Sequence, residues 1–191
     1  MIPRTAITLG ILAGGRGQRM DGRDKAWVSH YGKPLVQHTL AAFPGAYAER
    51  LVSTRAADPR FERMQLRAVF DLRPDFAGPL AGIEALAAAC RSAWLLTVPV
   101  DLFRLPEGLA EAMRGAVSRD GVVVRDASGL QPLLGLWRTQ ALRAAVQELL
   151  DAGETAAHRI GTRLDLARLD VSPRLFANLN TPDDLQDPAR P

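Results

Sequence analysis

Cysteine is almost absent from this 191-residue chain, with Cys90 its only one. An internal disulfide is excluded, and a single cysteine inside an alanine-rich apolar run reads as a small hydrophobe. Histidine is scarce as well: His30, His38 and His158 have no ligand spacing with one another or with Cys90, which leaves no zinc cage to argue for. Aromatic residues make up only 6% of the chain, the basic residues are spread rather than clustered, and the formal net charge is a mild +3. A nucleic-acid surface needs clustered cations interleaved with aromatics, so no nucleic-acid partner is expected. No stretch approaches the roughly 20 apolar residues of a membrane span. Low-complexity tracts, repeats and blocks of like charge are also missing. Thr5 to Ala13 is apolar, but one arginine precedes it and a basic glycine-rich stretch follows where a small-residue cleavage site would stand, so the expected location is the cytoplasm. Lysine is the last scarcity. Of 24 basic residues only Lys25 and Lys33 are lysines, both just after the glycine-rich segment. In a chain whose default cation is arginine, a lysine marks a place for a compact, flexible point charge such as a phosphate contact.

What is present, 47% hydrophobic and 24% charged residues, suits one domain over 1–191 with one substantial core. Thr5 to Ala13 is a short continuous apolar run ending at Gly14-Gly15, the pattern of a strand buried on both faces. Leu35 to Phe43 has helical spacing behind Pro34. Strand-like runs follow at Arg50 to Thr54 and Arg67 to Asp71, then a helix over Leu80 to Cys90 opened by Gly78-Pro79. Trp94 to Pro99 is the clearest central strand. A helix over Pro106 to Ser118, strands at Gly121 to Arg125 and Pro132 to Trp137, a helix over Thr139 to Leu150, extended pieces at Leu164 to Val171 and Phe176 to Asn178, and a helical turn over Pro182 to Leu185 complete the chain. Strands and helices alternating in this way predict a three-layer α/β/α sandwich with a mostly parallel, Rossmann-like sheet. Ligands of such sheets bind outside the carboxyl ends of the strands.

After the first strand the chain reads Leu12-Ala13-Gly14-Gly15-Arg16-Gly17-Gln18-Arg19-Met20-Asp21-Gly22-Arg23-Asp24-Lys25. The dinucleotide fingerprint fails because Met20 stands at its third glycine, and the P-loop fails because Arg23-Asp24 replaces its Lys-Ser/Thr. What remains is a loop whose glycines let backbone N–H groups approach phosphate oxygens, followed by Arg19 and Lys25 as countercharges. Asp101, released at the end of the Trp94 strand, puts a polar residue at a carboxyl end of the sheet, although its residue type also suits a helix cap.

LAGG-R-G-QRM followed by the Asp24-Lys25 pair resembles the signature of nucleotidyltransferases, and Arg19-Met20-x-Gly22-x-Asp24-Lys25-x-Trp27 is close to that of the MobA-type molybdenum cofactor guanylyltransferases. Asp71 with Asp75-Phe76-Ala77-Gly78-Pro79-Leu80-Ala81-Gly82, Pro99-Val100-Asp101, Gln131-Pro132-Leu133 and Asn178-Leu179-Asn180-Thr181-Pro182-Asp183-Asp184-Leu185 are similar to further segments of that family, in family order. The chain departs from the pattern at Asp21, where glycine is usual, at Trp27, where leucine is common, and at Ser53, where the guanylyltransferases carry asparagine near the base. The resemblance implies a nucleotide-diphospho-sugar transferase-like fold and transfer of GMP from GTP to the terminal phosphate of molybdopterin, with Mg²⁺ as cofactor. It also implies roles residue by residue. Arg19 and Lys25 would cover the β- and γ-phosphates. Leu12, Ala13, Gly14, Gly15, Ser53, Asp71, Gly78 and Pro79 would surround the nucleotide. Asp101 would hold the metal, and Gly82, Asn178 and Asn180 would face the acceptor. A cytidylyltransferase, or a transferase to another phosphorylated small molecule, is the alternative reading. Passing contacts with proteins that deliver or receive the cofactor belong to the same expectation. An acceptor phosphate is already largely ionised at neutral pH, its second pKa lying near about 6, so no general base is required.

Overall fold

The computed structural model describes residues 2–14, 24–73 and 78–179. Gly15, Arg19, Asp75, Asn180 and the helical turn expected at 182–185 lie outside the described residues. Seven strands form the central sheet: β1 (Ile7–Leu12), β2 (Glu49–Ser53), β3 (Arg67–Val69), β4 (Trp94–Pro99), β5 (Gly121–Asp126), β6 (Gly129–Arg138) and β7 (Leu166–Asp170). Their order is β7-β5-β6-β4-β1-β2-β3. The helices are α1 (Leu35–Ala42), α2 (Pro59–Arg63), α3 (Pro79–Ala89), α4 (Leu109–Ala116) and α5 (Thr139–Asp151).

β1 is buried at all six positions and pairs in parallel with β2 on one side and β4 on the other. Alternate residues serve opposite faces, as the two-residue repeat of a strand requires. Ile7, Leu9 and Ile11 join Trp94, Leu96 and Val98 in a core with Leu35 and Val36 of α1 and Leu109 and Met113 of α4. On the other face Leu51, Leu95 and Val123 pack with Leu80, Ile83 and Leu86 of α3 and Leu142, Val146 and Leu149 of α5. α3 lies close to β1: a Cβ on Gly10 would stand 3.0 Å from Leu95 Cδ1 and 3.1 Å from Leu86 Cδ1, so this approach depends on glycine. α5 also finishes α3, since Arg143 Nη2 donates to the carbonyls of Ala87 at 2.8 Å and Cys90 at 3.3 Å, two of the groups a helix end leaves open. No helix among the described residues is long and apolar enough to cross a membrane.

The structure refines the sequence reading at two points that bear on the site. The helix expected from Pro106 starts at Leu109, because Gly108 adopts φ 74°, a left-handed conformation that cannot lie inside a right-handed helix. The sheet carries one reversed strand, β6, antiparallel to both β4 and β5. Only Ala127 and Ser128 separate β5 from β6, and so short a connection can join only antiparallel strands. Pairing slips along this hairpin, Val123 facing Gly135 while Val124 faces Gln131, and the bulge accommodates Pro132, which has no N–H for a ladder. Reversal brings the first residues of β6 to the end of the sheet where the parallel strands finish.

Candidate active site

The carboxyl ends of the middle strands are joined one residue past their last ladder pairs. Ala13 N–H donates to Ser53 O, Thr54 N–H to Val69 O, and Val100 N–H to Leu12 O, each at 3.0 Å. These bonds line up Leu12 to Gly14, Ser53-Thr54, Phe70-Asp71 and Val100-Asp101 along one edge. From β1 the neighbours diverge, β2 to one side and β4 to the other, and such a switch point leaves a crevice above the strand ends. The Leu12 carbonyl and Ala13 N–H are taken up in the sheet, and both side chains are buried, so Gly14 is the residue of this trio that reaches the surface.

Lys25 and Asp101 meet here. Lys25 Nζ donates to Asp101 Oδ2 in a close ion pair whose side chains are both partly exposed. Asp24 caps the short turn that carries the lysine, its Oδ1 accepting from Ala26 N–H at 3.0 Å. Two residues on, Trp27 lies under the guanidinium of Arg60, 3.9 Å from the ring centroid, and beside Phe61 at 4.7 Å between centroids. The unusual tryptophan thus fastens the lysine turn to α2 by cation–π and aromatic contact. Asp101 sits in the turn after β4, seven residues before Gly108, the N-cap residue of α4, and it caps no helix.

Ser53 was expected near the base. Its side chain is fully buried instead, roofed by Gly14 and by Gly82 of α3, where a Cβ would stand 3.3 Å and 2.9 Å from Ser53 Oγ respectively. That hydroxyl has no hydrogen-bond partner among the described residues. Gly78 and Pro79 open α3, and Gly78 packs against Thr155, 3.3 Å from its Cβ to the position a Gly78 Cβ would take. Asp71 lies exposed just past β3. Protein atoms around its carboxyl strip water from it and raise its pKa, Arg55 opposing the rise and Glu84 adding to it. Arg73 holds this segment down through ion pairs to Glu84 of α3 at 3.0 Å and Asp151 of α5 at 2.8 Å.

Asn178 arrives from the far end of the chain. Ala177–Asn178 pairs antiparallel with Leu102–Phe103, Asn178 opposite Leu102, and Leu179 N–H donates to Asp101 O at 3.0 Å. The structure therefore joins Lys25 to Asp101, brings the chain after Asn178 to the Asp101 carbonyl, sets Gly14 and Gly82 against Ser53 at the neighbouring strand ends, and leaves Asp71 just past β3 and Gly78-Pro79 at the start of α3. Sequence reasoning missed the supporting contacts of Trp27 with Arg60 and of Arg73 with its two carboxylates. Arg73 and Asp151 are far apart along the chain and carry no motif.

A mostly parallel sheet with a switch point at β1, an exposed glycine after that strand and a lysine–aspartate pair beside it suits an α/β domain that handles a nucleotide. The model of the MobA-like NTP transferase domain matches residues 9–167. A molybdenum cofactor guanylyltransferase of Pseudomonas fluorescens strain SBW25 is 37% identical over 185 residues, covering 94% of this chain and 92% of that protein. One from Bordetella petrii is 34% identical over 200 residues, covering 97% and 98%. The chain belongs to the MobA-like NTP transferase family. Among solved structures, the molybdopterin-guanine dinucleotide biosynthesis protein A of Archaeoglobus fulgidus superposes with a TM-score of 0.70 at 21% identity, over 94% of this chain and 95% of that one. The inositol-1-phosphate CTP transferase of T. maritima does so at 0.74 and 11% identity, over 97% and 93%. These two likenesses are of fold.

Proposed function

We propose that this protein transfers GMP from GTP to the terminal phosphate of molybdopterin, forming the guanine dinucleotide cofactor and releasing pyrophosphate. An oxygen of the acceptor phosphate forms a bond to the α-phosphorus of GTP, the bond from that phosphorus to the bridging oxygen of the β-phosphate breaks, and pyrophosphate leaves with the electron pair. No proton has to be removed from the attacking phosphate oxygen. The residues then have positioning and electrostatic work to do. Lys25 turns from Asp101 to the β- and γ-phosphates, together with Arg19. Asp71, Gly78 and Pro79 wall the nucleotide, Gly14 and Gly15 approach its phosphates through their backbones, and Asn178 and Asn180 receive the acceptor.

The chain fits a magnesium ion of the kind that phosphates bring with them. Asp101 offers one partly exposed carboxylate, while no group of three or more His, Cys, Asp or Glu side chains that could cage a metal forms among the described residues. Mg²⁺ characteristically takes one or two carboxylates and completes its shell with substrate phosphates and water. When bound, it would neutralise charge developing on the departing pyrophosphate.

The Lys25–Asp101 pair at the strand ends is the observation that carries this reading. It sets a phosphate-seeking cation against a metal-seeking anion at one point of a nucleotide crevice. The test is incubation of the purified protein with molybdopterin, Mg²⁺ and each of GTP and CTP, following pyrophosphate and the dinucleotide. Transfer from GTP is expected. Preferential transfer from CTP would make it a cytidylyltransferase, and binding without pyrophosphate release would remove the enzyme reading altogether.

A further inference from the structure

Asp126 is 1% exposed, lies at the end of β5 and takes no part in the chemistry above. Its two oxygens are divided between two pieces of chain. Oδ1 accepts from Ser128 N–H at 3.0 Å, Ser128 Oγ at 2.7 Å and Gln131 Nε2 at 3.1 Å, from the β5–β6 turn and the start of β6. Oδ2 accepts from Phe176 N–H at 2.8 Å, a residue 50 positions away. Burial works to raise this carboxyl, but the Phe176 N–H and the Ser128 and Gln131 donors hold it below the usual range. It is a buried anion kept ionised by its donors.

Phe176 leads directly into the acceptor side of the crevice. Ala177 pairs with Phe103 and Asn178 with Leu102, and Leu179 N–H reaches the Asp101 carbonyl. Phe176 and Leu179 are both buried, so the strand between them is anchored at each end. A two-residue strand pair has little stability of its own and takes its place from what holds its flanks. One further bond joins the turn to this segment, Ala127 N–H to Arg174 O at 2.8 Å, and it lies before Phe176. We propose that Asp126 is a positioning residue for the acceptor: its carboxylate couples the β5–β6 turn to the Phe176–Leu179 strand and so sets where Asn178 stands beside Asp101.

The proposal rests on the transferase reading for its kinetic test and on geometry alone for its exchange test. In Asp126→Asn the amide oxygen settles on the side with three donors, keeping the turn, and the NH₂ then faces Phe176 N–H, so the variant selectively cuts the strand link. The KM for molybdopterin should rise about tenfold, in keeping with loss of one charge-assisted hydrogen bond, while GTP affinity measured without acceptor stays at the wild-type value. Amide exchange at Phe176 and Leu179 should quicken while that of β1 does not. Ser128→Ala, which removes a donor from Oδ1 and leaves Oδ2 on Phe176, should keep the wild-type KM. An unchanged acceptor KM in Asp126→Asn, a proportional loss for GTP and acceptor, or an equal effect of Ser128→Ala overturns the assignment. In the wild-type protein itself, Phe176 and Leu179 amides should exchange as slowly as those of β7, and rapid exchange there overturns it without any variant. Failure of the wild-type protein to make a dinucleotide would instead strike the transferase reading and leave the exchange result to judge Asp126.

Discussion

Gly82 and Ser53 meet where α3 crosses the end of β2, and the contact can be turned into a number. Gly82→Ala places a methyl carbon 2.9 Å from Ser53 Oγ and 3.1 Å from Leu12 Cδ2, closer than either neighbour comfortably allows. Overpacking of this kind costs about 1–3 kcal/mol, against which alanine in place of a helical glycine returns about 1 kcal/mol, so a net loss of about 1 kcal/mol is expected. Ser53→Ala acts in the other direction. Its buried hydroxyl has no partner among the described residues, and an unsatisfied polar group of that kind costs about 1–3 kcal/mol, so its removal should leave stability equal or higher. With the hydroxyl gone, the nearest atom of residue 53 to the new methyl is Cβ, 3.7 Å away, an ordinary contact. Only the far end of the Leu12 side chain then has to move. The double variant should therefore be more stable than the sum of the two single changes by about 1 kcal/mol. Urea unfolding of the four proteins, at matching m-values, measures this. A coupling below about 0.3 kcal/mol, within the scatter of independent sites, would show that Gly82 is not held to glycine by Ser53.

Lys25→Ala should weaken GTP binding and slow transfer together, because a phosphate contact made in the ground state strengthens as charge builds on the leaving group; titration calorimetry and rates that both match wild type would take Lys25 out of the site. Asp101→Asn keeps the side-chain shape and removes the charge, so transfer should fall on the order of 10²–10³-fold at limiting Mg²⁺ with little change in unfolding midpoint. A folded variant that transfers normally would refute the metal role. The raised carboxyl of Asp71 favours its protonated form in the folded protein. Its contribution to stability is therefore present below the unfolded value of about 3.9 and lost as pH rises through the folded value. Asp71→Asn should raise the unfolding midpoint at neutral pH, the gain vanishing toward about pH 3 where both side chains are uncharged, while guanylyl transfer falls; a gain that persists at acid pH would contradict the electrostatic cause.

How much of this could be read beforehand depends on what each feature rests upon. β1 and β4 were legible because a strand buried on both faces must be continuously apolar, and few other structures leave that trace in so few residues. The start of α4 was not, since periodicity does not report the positive φ of Gly108 that delays it. The direction of β6 is a property of a two-residue turn, and Pro132, which argues against a regular central strand, is absorbed by a bulge that sequence alone does not place. In the crevice, Lys25 and Asp101 were legible as separate signals at two strand ends, and the fold supplied the fact that they touch. Ser53 shows the limit of that reasoning. Its position along the chain puts it at the right strand end, but whether a side chain there points at a ligand or under a helix depends on the packing of Gly14 and Gly82 above it.

The ion pair between Lys25 and Asp101 makes the crevice self-neutralising, and this has a thermodynamic consequence. A phosphate that draws the lysine away, or a cation that draws the aspartate away, must first break this pair. Each ligand alone bears the cost of separating the pair, whereas an anion and a cation arriving together exchange one neutral arrangement for another. On the proposed magnesium-assisted reading, binding of the two would therefore be cooperative, and by reciprocity the factor by which nucleotide sharpens affinity for the metal would equal the factor by which metal sharpens affinity for the nucleotide. The pair in this sense guards the site: a stray anion or a stray cation has to displace the partner of the charge it seeks.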